Sequence, residues 1–288
     1  MAGLKESDQL KIAVFSPSSP PEPEKTEKGL AIIRESRLDI RQAPEHSPSP
    51  FPYLAGDDQC QAEAFTRLMQ DPEIDVLWAA RGGYGISRWI DMVEWDQIDD
   101  PPLVTGFSDL TFLHAALSKK NINSIHGPMV STLPETSDSA RHAILRCLSS
   151  GHFPVLSGRP LSGGLASGRL IGGNLTCLAH LLCTDSEPPW GNAILLLEEH
   201  NEAPYRIDRM LTQLLQAGRL ERLTGIAIGQ ICSEDSPDLI NSLLKDRFKS
   251  LTFPVLTGLP VGHRPDNFPL LLGSEYILDC DAGLLLPA

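Results

Sequence analysis

Short apolar runs alternate with amphipathic stretches along most of the chain. Where such runs are bounded by turn residues they predict buried strands, and apolar side chains at helical spacing predict helices. Strands that alternate with helices are typical of parallel βαβ units. The pattern therefore predicts an α/β fold whose first part, residues 1–130, is a doubly wound parallel-sheet domain. In this part, strands are predicted within 11–20, at 74–80 and at 102–106, and helices at 27–36 and 57–71.

The second part of the chain begins after a change of composition. Residues 131–165 hold one helical stretch among Ser, Gly and Pro, and we interpret them as a connection between domains. The pattern after this connection predicts a smaller C-terminal α/β domain, residues 166–288. Its predicted elements are a glycine turn leading into a helix at 168–182, strands at 193–199, 223–231 and 253–263, and a helix at 204–218.

Composition narrows the class of protein. The 288 residues are 41% hydrophobic and 21% charged, which is typical of a globular protein, and the net charge is −13. A chain this acidic is a poor candidate for nucleic-acid binding, because Lys and Arg carry most phosphate contacts. The N-terminal apolar run, 12–15, is too short for a leader peptide, and no stretch is long enough to cross a membrane. Six cysteines without paired or zinc-like spacing predict reduced thiols, which is typical of a cytoplasmic protein. Together with the charge and the short apolar runs, this leads us to expect no membrane, nucleic acid, cofactor or metal as partner.

Polar residues follow several of the predicted strands. In open α/β sheets, ligands bind beyond the carboxyl ends of the strands, so these residues are candidates for a site. Together they offer a hydroxyl, carboxylates, an imidazole and a glycine loop, which are the parts of a serine hydrolase. The segments are 81–85 (RGGYG), Ser108-Asp109, Glu198-Glu199 and Gly262-His263.

Each of these residues also has a purely structural interpretation. Ser108 could cap the helix that follows it, and its G-x-S-x-L surroundings differ from the G-x-S-x-G nucleophile elbow. The glycine loop could be a tight turn, since it matches neither a P-loop nor a dinucleotide fingerprint. His263 could be a core histidine. From the residues alone, the acid of a triad could be Glu198, Glu199 or Glu202.

A set of longer motifs decides between these alternatives. Their order and content resemble the serine LD-carboxypeptidases (muramoyltetrapeptide carboxypeptidases) and their relatives, the microcin C immunity peptidases. The resemblance covers nearly the whole chain. The motifs are AARGGYGISRWID, GFSDLTFLHAAL, HGPM, GRLIGGNLTCLAHLL, LLLEEHNEAPYRIDRMLTQL and TGLPVGH.

The resemblance implies a catalytic triad of Ser108, Glu198 and His263, with Ser108 as nucleophile. Because Ser108 belongs to the first domain and the other two residues to the second, we expect the active site at the domain junction. The backbone N–H groups of Gly83 and Asp109 are candidates for an oxyanion hole. Glu199 has no role in this scheme, so we expect Glu199→Ala to be close to neutral.

The resemblance also implies a substrate, the murein tetrapeptide, cut before its terminal D-alanine, and a homodimeric protein. A substrate of this kind needs a partner for its carboxylate, and the candidates for substrate binding are Arg81, Tyr84, Arg206 and Arg264.

Two departures from the family pattern concern loops rather than the triad. Cys183-Thr184-Asp185 replaces the usual Gly-Thr-Pro, and Leu271 stands where the family tends to have proline. Two alternatives stay open. One is an immunity-type peptidase that cleaves peptidyl or aminoacyl adenylates, although those relatives tend to carry an inserted loop for which this chain has little room. The other is a non-catalytic ligand-binding protein.

Overall fold

The structure is a computed structural model that describes residues 10–36, 38–42, 49–233 and 235–288. Residues 1–9, part of the segment in which we predicted no leader peptide, lie outside the described residues. The strands are β1 (Lys11–Phe15), β2 (Asp39–Gln42), β3 (Val76–Ala79), β4 (Leu103–Gly106), β5 (Ser124–His126), β6 (Leu156–Ser157), β7 (Arg159–Ser162), β8 (Leu165–Asn174), β9 (Ala193–His200), β10 (Gly225–Cys232), β11 (Val255–Thr257), β12 (Leu270–Leu272), β13 (Glu275–Asp279) and β14 (Leu284–Pro287).

The helices connect the parallel strands and cover both sheets. Several begin with residues that favour a helix start: Asp57 and Ser137 accept backbone N–H bonds as caps, and Pro204 occupies a first-turn position. The helices are α1 (Pro23–Glu35), α2 (Asp58–Gln70), α3 (Ile86–Trp89), α4 (Thr111–Lys119), α5 (Asp138–Ser150), α6 (Leu175–Leu181), α7 (Pro204–Gln216) and α8 (Pro237–Phe248).

The first sheet has the order β12-β5-β4-β3-β1-β2. The strands from β5 to β2 are parallel, and β12 pairs antiparallel with β5. Alternate side chains of the strands enter two different cores: Ile12 packs with Leu30 of α1, whereas Phe15 packs with Phe65 of α2. Helices therefore cover both faces, and the predicted doubly wound architecture is confirmed.

The second sheet is mixed and has the order β6-β14-β13-β8-β9-β10-β11-β7. Its centre, β8 to β11, is parallel, and antiparallel strands flank it on both sides. The chain crosses between the two units, because β6 and β7 come from the expected connection and β12 returns to the first sheet. The division at residues 130 and 166 stays a prediction.

Two predicted elements differ from the structure. The helix expected within 168–182 is present as α6, but the glycine turn expected before it is the end of strand β8, because its glycines serve close packing: a Cβ on Gly172 would overlap Leu196 O, and one on Gly173 would overlap Thr111 Oγ1. The expected strand 253–263 ends at Thr257, where Gly258 turns the chain with a φ of 74°. The residues that follow, up to β12, form the loop that carries His263.

Candidate active site

Ser108 lies in a strained turn between β4 and α4. Its φ is 66°, in the left-handed region that costs a non-glycine residue about 1–2 kcal/mol. A 3-10 turn, Ser108–Leu110, continues directly into α4. No side-chain cap is formed by the residues at the start of this turn, so Ser108 does not act as the helix cap that its sequence context also allowed. Strain of this kind at a strand-to-helix turn is typical of a nucleophile held exposed above a sheet.

Asp109 ties three loops together at the nucleophile turn. Its Oδ2 accepts the hydroxyl of Ser18 at 2.7 Å and the backbone N–H of Ile86 at 3.1 Å. Ser18 follows β1, and Ile86 begins α3 directly after the glycine loop. Burial raises the pKa of Asp109 to about 6, against the two hydrogen bonds that lower it. The carboxylate therefore fixes the glycine loop relative to Ser108, and the backbone N–H of Asp109 lies in the first turn after the strand.

The glycine loop approaches Ser108 closely. A Cβ on Gly82 would lie 3.2 Å from Ser108 Cβ, so a larger residue would press on the nucleophile. Gly83 has a φ of 115°, and a Cβ there would overlap the hydroxyl of Ser19. Ser19 holds the loop by accepting the Tyr84 N–H at 3.2 Å and by donating its own N–H to Gly82 O at 3.3 Å. Glycine is therefore required at position 83 by both conformation and space.

Glu198 and His263 form a hydrogen-bonded pair in which Glu198 is fully buried and His263 partly buried. Nδ1 of His263 lies 2.7 Å from Glu198 Oε2, so the ring donates its Nδ1–H to the carboxylate and leaves Nε2 free to accept a proton. Glu198 is 0% exposed at the end of β9, and its other oxygen, Oε1, is buried without a hydrogen-bond partner. Gly262 has a φ of 135°, and a Cβ there would lie 3.2 Å from Glu198 Oε2, so only glycine leaves room for this approach.

The charge of Glu198 determines the basicity of His263. Burial lowers the pKa of His263, but the charge of Glu198, its hydrogen bond and the weaker effect of the Glu199 charge together raise it by more. The net pKa is therefore above the ordinary value. Phe107 packs edge-on against the His263 ring at 4.7 Å between centroids. Because Phe107 directly precedes Ser108, this contact brings the Glu198–His263 pair against the nucleophile turn.

The other two candidate acids have different partners. Glu199 accepts hydrogen bonds from Asn174 Nδ2 and from the backbone and hydroxyl of Thr176, at 2.8–3.0 Å, and is 2% exposed. It also accepts the N–H of His200 at 2.8 Å. Glu202 pairs with Arg206 at 3.3 Å. Glu199 therefore anchors the start of α6, and our expectation that Glu199→Ala is close to neutral does not fit this network.

Comparison with known proteins places this geometry in a family. Residues 12–127 match the N-terminal domain of the LD-carboxypeptidases, and residues 167–278 match their C-terminal domain. A protein of Synechocystis sp. that carries a provisional carboxypeptidase name is 36% identical over 281 residues, which are 96% of this chain and 93% of that protein. The chain belongs to the LD-carboxypeptidase family. The predicted resemblance is thereby confirmed, and with it a carboxypeptidase activity of the serine type.

Further relatives support the same assignment. The murein tetrapeptide carboxypeptidase of Pseudomonas aeruginosa is 28% identical over 287 residues, covering 93% of each chain. The crystal structure of muramoyltetrapeptide carboxypeptidase from Oxalobacter formigenes aligns with a TM-score of 0.86 at 25% identity, over 96% of this chain and 97% of that one. An MccF-like protein from Bacillus anthracis aligns with a TM-score of 0.87 over 98% of each chain; at 19% identity this likeness concerns the fold.

The four candidate substrate-binding residues of this LD-carboxypeptidase are dispersed. Arg81 donates to Pro20 O at 2.9 Å and lies 3.8 Å from Glu22, next to the glycine loop. Tyr84 is 46% exposed in that loop. Arg264 directly follows His263, and its Nε lies 3.4 Å from Cys232 Sγ. Arg206 lines a different surface groove of about 580 Å³, together with Thr176, Ala179, His180, Leu182, Glu202, Arg209, Met210 and Gln213.

Several residues that build the site were not predicted from the sequence. Ser18 and Thr111 contribute hydroxyls to the nucleophile turn, and Phe107 and His200 contribute rings to the surroundings of His263. Of these, only Phe107 carried a local signal, as the neighbour of Ser108. The two family departures are peripheral: Cys183 is exposed with a φ of 62°, and Leu271 lies in β12 opposite Ile125.

Among the described residues, no helix combines the length and apolarity needed to cross a bilayer. The same part of the chain contains no cluster of three or more His, Cys, Asp or Glu side chains arranged to hold a metal ion.

Proposed function

We propose that the protein is a muramoyltetrapeptide carboxypeptidase that uses Ser108, His263 and Glu198 to remove the terminal D-alanine of murein tetrapeptide. The observation that carries this proposal is the 2.7 Å contact between His263 Nδ1 and Glu198 Oε2, set beside a serine held at a φ of 66°. The substrate comes from the names of relatives such as the Pseudomonas aeruginosa enzyme.

The first step transfers an acyl group to Ser108. His263 Nε2 removes the hydroxyl proton while Oγ attacks the amide carbonyl carbon, and the carbonyl π-electrons move to the oxygen. The oxyanion is stabilised by the N–H groups of Gly83 and Asp109, each worth about 3 kcal/mol in comparable sites. When the tetrahedral intermediate collapses, the C–N bond breaks, and His263 gives its proton to the departing amine of D-alanine.

The second step returns the free enzyme. Water loses a proton to His263 and attacks the acyl carbon, after which the bond to Oγ breaks and the serine recovers its proton. Throughout both steps, Glu198 orients the imidazole and stabilises its protonated form. Because Glu198 is 0% exposed, its charge acts on His263 with little screening by solvent.

Recognition of the free carboxylate would explain why only a terminal residue is removed. Arg81, Tyr84 and Arg264 adjoin the proposed catalytic elements, which supports a role for them in substrate binding. Arg206 is a weaker candidate, because it is paired with Glu202 and lines another groove. A site built to pair with the terminal carboxylate rejects peptides that lack it at that position, so longer or amidated peptides would bind poorly.

The cellular setting is part of the same proposal. We propose that the enzyme works in the cytoplasm on recycled muropeptides and forms a homodimer. An acidic protein with a net charge of −13 is a poor partner for nucleic acid, which fits a small peptide substrate.

The test is a comparison of kcat/KM for four peptides. They are murein tetrapeptide, the pentapeptide, the C-terminally amidated tetrapeptide and a tetrapeptide ending in L-alanine, with release of the terminal residue as the readout. We expect efficient hydrolysis of the first peptide alone. Comparable values for tetrapeptide and pentapeptide would contradict the exopeptidase assignment.

Two further measurements separate the alternatives. An aminoacyl sulfamoyl adenylate is offered to the same enzyme preparation, and preference for it over the tetrapeptide would favour an immunity-type peptidase. Binding of tetrapeptide without turnover, equally by the wild type and by Ser108→Ala, would favour a non-catalytic ligand-binding protein.

A further inference from the structure

The imidazole of His263 is covered by a second imidazole. The rings of His200 and His263 stack with 4.6 Å between centroids and 7° between their planes. Phe107 meets the His263 ring edge-on, at 4.7 Å and 63°. Two aromatic side chains, one from each half of the chain, therefore contact the ring that would serve as the general base.

The backbone of His200 is held firmly at the end of β9. Its N–H donates to Glu199 Oε1 at 2.8 Å, and the residue pairs with Cys232 of β10. Since Glu198 lies two residues earlier on the same strand, one strand end supplies both the carboxylate and the stacked ring. His200 itself is exposed, so its outer face meets solvent while its inner face covers His263.

The charged and titratable groups around His200 come from three segments. Glu198 and Glu199 belong to its own strand, Cys232 to β10, and His263 with Arg264 to the loop after β11. Burial lowers the pKa of His200, and the neighbouring His263 lowers it further, against the charge of Glu198. As the pH falls, His263 is therefore protonated before His200, and a neutral ring stacks on the imidazolium without repulsion.

We propose that His200 is a positioning residue, which holds the imidazole of His263 in its orientation toward Ser108 and shields one face of that ring from water. This inference rests on the proposed function, because it concerns the base of the proposed triad. A ring that was free to tilt would lose alignment with the serine hydroxyl, and misalignment of a catalytic group reduces the rate steeply.

The test compares His200→Ala with His200→Phe, using murein tetrapeptide. We expect His200→Ala to reduce kcat by about 10-fold at unchanged KM. It should also move the acid limb of the kcat/KM profile to higher pH by about half a unit, because less burial favours the protonated form of His263. Phe keeps the stacked ring without a titrating group, so His200→Phe should restore both the rate and the acid limb to near the wild-type values.

Controls make the result specific. The His152 side chain is exposed and its Nδ1 contacts the Ser150 carbonyl, far from the proposed triad in sequence, and its backbone contacts persist in an alanine variant, so His152→Ala should match the wild type. Thermal melting verifies that each variant is folded. A wild-type kcat and acid limb in His200→Ala, or a His200→Phe enzyme as impaired as the alanine variant, would overturn the inference.

His263→Ala, assayed in parallel, separates this inference from the function on which it rests. If His263→Ala is inactive while His200→Ala behaves as the wild type, only the role of His200 is wrong. If His263→Ala retains near-wild-type turnover, the proposed triad itself fails, and the inference fails with it.

Discussion

Thr111 and Asn174 connect the nucleophile turn to the second sheet. The Thr111 hydroxyl accepts the Asn174 N–H at 2.9 Å and donates to Ser108 O at 2.7 Å. Thr111 begins α4, and Asn174 ends β8, so one buried hydroxyl joins the two halves of the chain directly beneath the proposed nucleophile. The close approach of Gly173, where a Cβ would overlap Thr111 Oγ1, makes this contact possible.

Thr111→Val should impair both stability and turnover. Valine keeps the shape of threonine but leaves the buried Asn174 N–H without an acceptor, which costs about 1–3 kcal/mol of unfolding free energy. It also removes the hydroxyl's bond to Ser108 O, which keeps the Thr111 N–H and Cys177 Sγ as donors, so the turn is held less firmly and kcat should fall by about 10-fold. Urea unfolding and steady-state kinetics measure the two effects. Thr111→Ser keeps the hydroxyl and should retain most of the activity; a valine variant with wild-type kcat would show that this bond does not position the turn.

Two substitutions of Ser108 should separate chemistry from backbone strain. Ser108→Ala and Ser108→Gly both remove the nucleophile, and each should lower kcat by about 10⁴-fold or more. Glycine adopts a φ of 66° without penalty, so Ser108→Gly should be more stable than Ser108→Ala by about 1 kcal/mol. Turnover is measured as D-alanine formed from murein tetrapeptide, and stability by urea unfolding. Near-wild-type turnover in either variant would rule out Ser108 as the nucleophile.

The two adjacent glutamates should respond differently to loss of charge. Glu198→Gln removes the charge that raises the pKa of His263, so kcat should fall and the acid limb of kcat/KM should move to lower pH. The rate loss should be smaller than in Ser108→Ala, because the glutamate orients the base and does not itself attack. A pH profile recorded from pH 4 to 9 shows both effects.

Glu199→Ala tests the role of the neighbouring glutamate. It leaves the buried donor of Asn174 and the part-buried donors of Thr176 and His200 unpaired, and should lower the unfolding free energy by about 1–3 kcal/mol. The acid limb should also move to lower pH, but by less than in Glu198→Gln, because the charge of Glu199 raises the pKa of His263 less than Glu198 does. If Glu199→Ala instead moved the acid limb as far as Glu198→Gln is expected to do, the assignment of the acid would be wrong.

The sequence predicted the elements that depend on local pattern. The buried runs near 76–79 and 103–106 and the helix at 204–216 were found because their apolar spacing is regular and their ends carry turn residues. It failed at β8, because glycines that serve close packing across sheets look the same in sequence as glycines that form a turn.

The candidate site shows the same division. Ser108 and His263 were recognisable from motifs, whereas the stacking of His200 and the bond between Ser18 and Asp109 join residues far apart in the chain or on separate elements. Choosing Glu198 over Glu199 needed the family resemblance, since adjacent residues on a strand point to opposite faces and the sequence does not say which face holds His263.

Asp109→Asn should remove a buried charge while it keeps the loops in place. Both hydrogen bonds to Asp109 end on the same oxygen, Oδ2, so an amide oxygen can accept both. The backbone N–H at position 109 is unchanged, and turnover should therefore be close to that of the wild type. Asp109→Ala leaves the Ser18 hydroxyl and the Ile86 N–H unpaired and should be less stable than Asp109→Asn at every pH.

The pH dependence of the unfolding free energy shows whether Asp109 is ionised in the folded protein. Asp109 has a pKa of about 6 in the folded protein and an ordinary value of 3.8, so between these values the folded chain binds more protons than the unfolded one. The contribution of Asp109 to the unfolding free energy therefore falls as pH rises through that window, by about 2–3 kcal/mol. Asparagine does not titrate, so the stability of Asp109→Asn relative to the wild type should increase from pH 4 to pH 6 and then level off.

The wild type and Asp109→Asn must be compared at each pH, because His114 also titrates in an overlapping window and changes the unfolding free energy with the opposite slope. Burial lowers its pKa to about 4, so its contribution to stability rises with pH between about 4 and 6.5. Since His114 is present in both proteins, its effect cancels when urea unfolding of the variant is subtracted from that of the wild type. A difference that stayed constant from pH 4 to 8 would show that Asp109 is not buried as an ionised group, and that its link to the glycine loop does not depend on charge.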